Sequence, residues 1–130
     1  MTQDVPPSAT NIPSPSGRAP LVVGLDLGGT KMAAALVDVN GALQGPVSSC
    51  PTPAHDGPDA MLNAISALVQ EVATTGTHQD PGRAVPIIAV GVGTAGVVDV
   101  ESGTILSATD AITGWAGTQV AAGVRERLAA

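Results

Sequence analysis

The stretch Leu21-Val22-Val23-Gly24-Leu25-Asp26-Leu27-Gly28-Gly29-Thr30-Lys31 decides how this chain reads. An apolar run ends in an aspartate, two glycines, a threonine and a lysine, and a second apolar run opens at Met32. The pattern predicts a strand, a tight turn and a returning strand, with the polar chemistry gathered at the turn. Such a turn is suited to a phosphate. Glycines let backbone approach an anion closely and present N–H groups to it. Thr30 adds a hydroxyl and Lys31 a positive charge. Asp26, at the strand end, is placed to hold a hydrated Mg²⁺ that the phosphates share. A glycine-rich turn with no ligand is the alternative reading of the same residues.

Two better-known phosphate motifs are excluded by their order and context. A P-loop places Lys before Ser or Thr and then opens a helix. Here Thr30 precedes Lys31, and the following run ends at Asn40-Gly41, a strong hairpin signal. Further on, Gly91-Val92-Gly93-Thr94-Ala95-Gly96 matches the dinucleotide fingerprint letter for letter. That fingerprint must also open a helix. Val97-Val98-Asp99-Val100 is instead β-branched, and Glu101-Ser102-Gly103 leads into a return strand at Thr104-Ile105-Leu106.

The chain has 130 residues, room for one ordinary domain. Its net charge of −6 argues against nucleic acid or an anionic membrane as a general partner and fits a soluble, cytoplasmic protein. A single cysteine, Cys50, excludes an internal disulfide and a cysteine-rich zinc site. With no Phe or Tyr, and Trp115 the sole aromatic residue, the core must be built from Val, Ile, Leu and Ala, which suits an α/β layer protein. No run approaches the ~20 apolar residues that cross a bilayer, and no secretory signal opens the chain.

Residues 1–20 read as a disordered Pro/Ser-rich tail. Strands are expected at Leu21–Asp26, Lys31–Val39 and, more weakly, Ala42–Ser49. A helix is expected from Pro58 to Thr75, with Met61, Ile65, Leu68 and Val72 on its buried face and Gly76 as its stop. Residues 77–86 read as a polar loop, on which His78 and Asp80 are solvated rather than catalytic. A buried strand is expected at Pro86–Gly91, and a last helix from about Ala116 with Val120, Val124 and Leu128 on one face.

Taken together, the pattern resembles the ROK family of repressors, open reading frames and sugar kinases. The family's Asp-x-Gly-Gly-Thr-Lys is matched by Asp26–Lys31, and its Gly-x-Gly-x-x-Gly-x-Val-Asp by Gly91–Asp99. Its Ala-Pro-Asn-Leu-x-Gly-Trp has a counterpart in Ala108-Thr109-Asp110-Ala111-Ile112-Thr113-Gly114-Trp115, one residue longer. Each motif is weak alone; three in order, with a helix between, are strong. The resemblance covers about residues 20–130.

It implies an α/β fold of the actin-like, ribonuclease-H-like ATPase type, of which residues 21–130 would be the N-terminal lobe: a mixed sheet with β-hairpins and flanking helices. It implies an ATP-dependent kinase acting on a hexose or N-acetylhexosamine, with Mg²⁺. Asp26, Gly28, Gly29, Thr30 and Lys31 would then hold the nucleotide phosphates, and Asp26 the metal. Gly93, Gly96 and Asp110 would lie on the sugar side. Ala95 stands where a proline is frequent, and Asp110 where many relatives carry a sugar-binding asparagine. An ionised aspartate only accepts hydrogen bonds, whereas asparagine also donates. The family's catalytic aspartate, its zinc motif and its adenosine pocket belong to later segments. Their absence from this chain implies that it carries no catalytic base. Full-length relatives are expected to bind zinc and to assemble as homo-oligomers. A transcriptional regulator of the family, or a non-catalytic sugar-binding fragment, is the competing reading; Arg18 is the only basic residue of the tail, too few for a DNA-binding arm.

Overall fold

The structure, a computed structural model, describes residues 20–78 and 87–129. Residues 1–19 of the expected tail, and all but the helical start of the expected 77–86 loop, lie outside the described residues, while Pro20 is buried. The elements run β1 (Leu21–Leu27), β2 (Lys31–Asp38), β3 (Ser48–Pro51), α1 (Pro58–His78), β4 (Ile87–Thr94), β5 (Val97–Asp99), β6 (Thr104–Ser107) and α2 (Val120–Ala129). They form a four-stranded mixed sheet in the order β3-β2-β1-β4 and a separate β5–β6 hairpin.

The apolar run at residues 21–27 becomes the centre of the sheet because both its neighbours are supplied. β2 returns antiparallel from the turn, pairing Leu27 with Met32 and Leu21 with Asp38. β4 comes back parallel on the other side after α1, pairing Leu25 with Val92 and Asp26 with Gly93. The two-residue side-chain period then sorts the faces. Val23, Leu25 and Leu27 share one face with Met32, Ala34 and Leu36 and with Val90, Val92 and Thr94. Asp26 shares the other with Ala33 and Gly93.

α1 covers the first of these faces. Pro58 occupies its first position and Asp59 its first turn, both favourable at a helix start. Met61, Leu62, Ile65, Leu68, Val69 and Val72 are all buried against β1 and β2. Each such side chain contributes ~1.5–3 kcal/mol by leaving water. Ser66, buried among them, donates its hydroxyl to the Leu62 carbonyl at 2.8 Å and so leaves no orphan polar atom. Trp115, 1% exposed, and Ile105 complete the core. Cys50 is half-buried on β3; burial, and secondarily Glu71, push its thiol above the ordinary range.

Several boundaries differ from the sequence reading. α1 runs through Gly76 to His78, so Gly76 does not stop it; a single helical glycine costs only ~1 kcal/mol, less than the cooperative packing of a long helix provides. β3 sits at Ser48–Pro51 rather than 42–49, and Leu43 makes only an isolated bridge to Val37. β4 extends to Thr94, so Gly91-Val92-Gly93 is strand and the dinucleotide fingerprint has no helix to open. α2 starts at Val120, because Gly114 and Gly117 take positive φ angles of 68° and 87° that a helix cannot contain.

Beside β4, the β5–β6 hairpin and α2 enclose an open trough of about 820 Å³, lined by Val90, Val92, Val98, Ile105, Val124 and Leu128. Among the described residues, no helix is long and apolar enough to cross a membrane.

Candidate functional site

β1 and β4 are parallel, so their C-terminal ends lie side by side, the usual place for ligands in open α/β sheets. Asp26 lies there, exposed, on the face opposite the α1-packed core. Among the described residues its carboxylate has no hydrogen-bond or ion-pair partner. Directly beyond it, the chain turns through Gly28-Gly29-Thr30-Lys31, closed by the Gly28 N–H donating to the Lys31 carbonyl at 3.0 Å.

The two glycines are different in kind. Neither lies in the left-handed region. A Cβ on Gly28 would meet the Lys31 carbonyl oxygen at 2.6 Å, so the tightness of the turn itself requires glycine there. A Cβ on Gly29 would find nothing nearer than Ala111 Cβ at 3.9 Å. Gly29, Thr30 and Lys31 are exposed. The backbone N–H groups of Gly29 and Thr30, the Thr30 hydroxyl and the Lys31 ammonium have no partner among the described residues. Two amides without a protein partner, a hydroxyl and a cation on one exposed turn offer donors and charge suited to an anion, with a carboxylate at its root.

One residue that the sequence reading passed over holds this turn. Thr52, just after β3, donates its hydroxyl to the Gly28 carbonyl at 2.8 Å and its N–H to the Thr30 carbonyl at 2.9 Å. The pairing of Lys31 with Pro51 brings it there. Nothing local in Pro51-Thr52-Pro53 signals the contact; only the β2–β3 register could reveal it.

The remaining candidates fall into two groups. Gly93 pairs with Asp26, and a Cβ on it would meet only the Leu25 carbonyl, at 3.9 Å. Its bareness serves no internal contact. Gly96, by contrast, has a reason of its own: its φ is +104°, and a Cβ would sit 2.5 Å from the Ser107 carbonyl oxygen. Asp110 is exposed and without a partner among the described residues, and the next residue, Ala111, faces Gly29. The fold therefore brings Ala111 to the Gly28–Lys31 turn. Trp115 anchors the 109–115 segment, its Nε1–H donating to Thr94 Oγ1 at 3.2 Å, while the Thr113 N–H donates to the Ala54 carbonyl at 2.7 Å. His55 Nδ1 lies 3.1 Å from Thr113 Oγ1. Asp99 is occupied elsewhere, its carboxylate accepting from the Glu101 N–H and the Ser102 hydroxyl to cap the β5–β6 turn. No group of three or more His, Cys, Asp or Glu side chains able to hold a metal occurs among the described residues.

The chain resembles known proteins in sequence and in fold. A glucokinase of Streptomyces coelicolor is 38% identical over 85 residues, which are 65% of this chain and 23% of that protein. An N-acetylmannosamine kinase of Shigella flexneri is 37% identical over 68 residues, 45% of this chain and 23% of that protein. The chain thus spans about a quarter of these relatives. The structure of a ROK family glucokinase from Streptomyces griseus, in complex with glucose and AMPPNP, superposes with a TM-score of 0.64 at 29% identity, over 84% of this chain and 30% of that one. The fold is accordingly the actin-like ATPase fold, seen in part. The family model for ROK matches residues 22–130, and the chain belongs to the ROK family.

Proposed function

We propose that this chain is the N-terminal part of an ATP-dependent sugar kinase, glucokinase-like, that phosphorylates a hexose or N-acetylhexosamine in the cytoplasm. The observation that carries the reading is the exposed turn at residues 28–31, with two unpartnered amides and Asp26 at its root. These residues fit a magnesium triphosphate. The Gly29 and Thr30 amides, the Thr30 hydroxyl and Lys31 would hold phosphate oxygens. Asp26 would hold the metal; a lone carboxylate suits Mg²⁺, which keeps several waters and shares phosphate ligands. MgATP, when bound, supplies the phosphoryl group.

Phosphoryl transfer depends chiefly on positioning and charge neutralisation. Here the turn fixes the phosphate tail, and Ala111 beside Gly29 brings Asp110 to the same end of the sheet, where we assign it, with Gly93, to the sugar side. Gly96, whose positive φ shapes the loop after β4, is assigned to the sugar side with them. The sugar class rests on the glucokinase and N-acetylmannosamine kinase relatives. The partners are small molecules, a sugar and a nucleotide, and the full-length form is assigned as a homo-oligomer.

A titration of the ¹⁵N-labelled chain with MgATP tests the nucleotide assignment. Saturable, Mg²⁺-dependent shifts centred on the Gly29 and Thr30 amides support it. Shifts confined to other segments, or none, overturn it.

A further inference from the structure

We propose that Thr52 is a positioning residue for the phosphate turn: it grips the two carbonyls that bracket Gly29 and so keeps the amides of Gly29 and Thr30 aimed outward. The inference rests on the nucleotide reading above for its purpose, but not for its geometry.

The turn is otherwise lightly held. Gly28-Gly29 is the most freely moving dipeptide a chain can offer, and inside the turn only one hydrogen bond, Gly28 N–H to the Lys31 carbonyl, closes it. Thr52 adds two more from outside, from one residue: hydroxyl to Gly28 carbonyl at 2.8 Å, and N–H to Thr30 carbonyl at 2.9 Å. These carbonyls belong to the peptide planes whose N–H groups are on Gly29 and Lys31. Because a peptide unit is planar, fixing a carbonyl oxygen fixes the direction of the N–H across the same bond. The Thr52 hydroxyl bond to Gly28 therefore sets where the Gly29 amide points. The bond to Thr30 holds the other side of the turn, and the Thr30 amide is caught between the two.

Thr52 is itself firmly based. Pro51 before it is paired with Lys31, and two residues later the Ala54 carbonyl accepts from the Thr113 N–H at 2.7 Å. The brace therefore stands on β3 at one side and on the 109–115 segment at the other. Both segments assigned to ligands hang on the same four residues, Thr52 to His55.

The test compares the full chain with Thr52→Val, which keeps shape and removes the hydroxyl, and with Thr52→Ser, which keeps the hydroxyl. Backbone ¹⁵N relaxation reads the order of Gly29 and Thr30, and MgATP titration reads affinity. In Thr52→Val the order parameters of those two amides are expected to fall below about 0.6 while the sheet stays near 0.85. MgATP affinity is expected to fall about fivefold to tenfold, the worth of one net hydrogen bond. Thr52→Ser is expected to keep wild-type order and an affinity within about twofold. A turn as rigid in Thr52→Val as in the wild type overturns the proposal. So does a turn in Thr52→Ser that is loosened beyond the wild type, and this arm decides even where the valine variant fails to fold. Wild-type protein that ignores MgATP removes the nucleotide reading instead, and the order comparison still decides the role of Thr52.

Discussion

At the scale of single residues, Gly28 and Gly29 look alike in sequence and have different functions in the structure. Gly28→Ala drives a Cβ against the Lys31 carbonyl, and the turn must open. It is expected to cost about 1–3 kcal/mol in urea unfolding. Gly29→Ala meets no protein atom closer than 3.9 Å. Its stability is expected to stay within about 0.5 kcal/mol of wild type, while MgATP affinity falls because the new methyl occupies the surface assigned to phosphate. A loss of stability as large as that of Gly28→Ala would contradict this division. Asp26 gives a second test. It is exposed and unpartnered among the described residues, so Asp26→Asn is expected to leave thermal unfolding unchanged. The same change should weaken Mg²⁺-dependent nucleotide binding about tenfold or more, the range of a charge-assisted contact; calorimetry with and without Mg²⁺ reads the difference.

At the scale of elements, the two helices show which contacts carry weight. α2 approaches α1 so closely at Gly123 that a Cβ there would stand 2.6 Å from Leu62 Cδ1. The Arg127–Asp59 ion pair also joins them, at 3.4 Å, but the Asp59 side chain is 93% exposed. Exposed pairs give little, whereas a bulky group forced between packed helices costs ~1–3 kcal/mol. Gly123→Val is therefore expected to lower the unfolding free energy by that amount, and Asp59→Ala to change it by less than about 0.5 kcal/mol. The reverse ranking in denaturant titrations would show that charge, not close approach, joins the helices. Helix faces were legible beforehand: Met61, Ile65, Leu68 and Val72 repeat at helical spacing and are all buried. Their ends were not. α1 passes through Gly76 and α2 waits until Val120, because packing and positive-φ glycines outweigh local propensity.

At the scale of the whole molecule, the chain holds one side of a proposed two-ligand site. Asp99 caps a turn, while the proposal assigns Asp26 to the metal and Asp110 to the sugar side. The proposal gives none of these three the proton of a sugar hydroxyl, and the chain spans 23% of the Streptomyces coelicolor glucokinase it resembles. The purified 130-residue protein is expected to bind MgATP but to release no ADP when glucose or N-acetylmannosamine is added with it. Sugar-dependent ADP release in a coupled assay would show that a base is present in this chain.

The residues alone determined the elements in outline and which residue types gather at the first turn. A hydrophobic period of two, or of three to four, is a local property, and so is a Gly-Gly-Thr-Lys bend after an aspartate. Three short motifs in order were enough to point to the family. What only the tertiary structure decided is which groups meet: that β4 returns parallel beside Asp26, that Ala111 reaches Gly29, that Gly96 answers to Ser107, and that Thr52 grips the turn. Those contacts join residues distant along the chain. Their partners are chosen by strand register and core packing, which no single stretch of sequence contains.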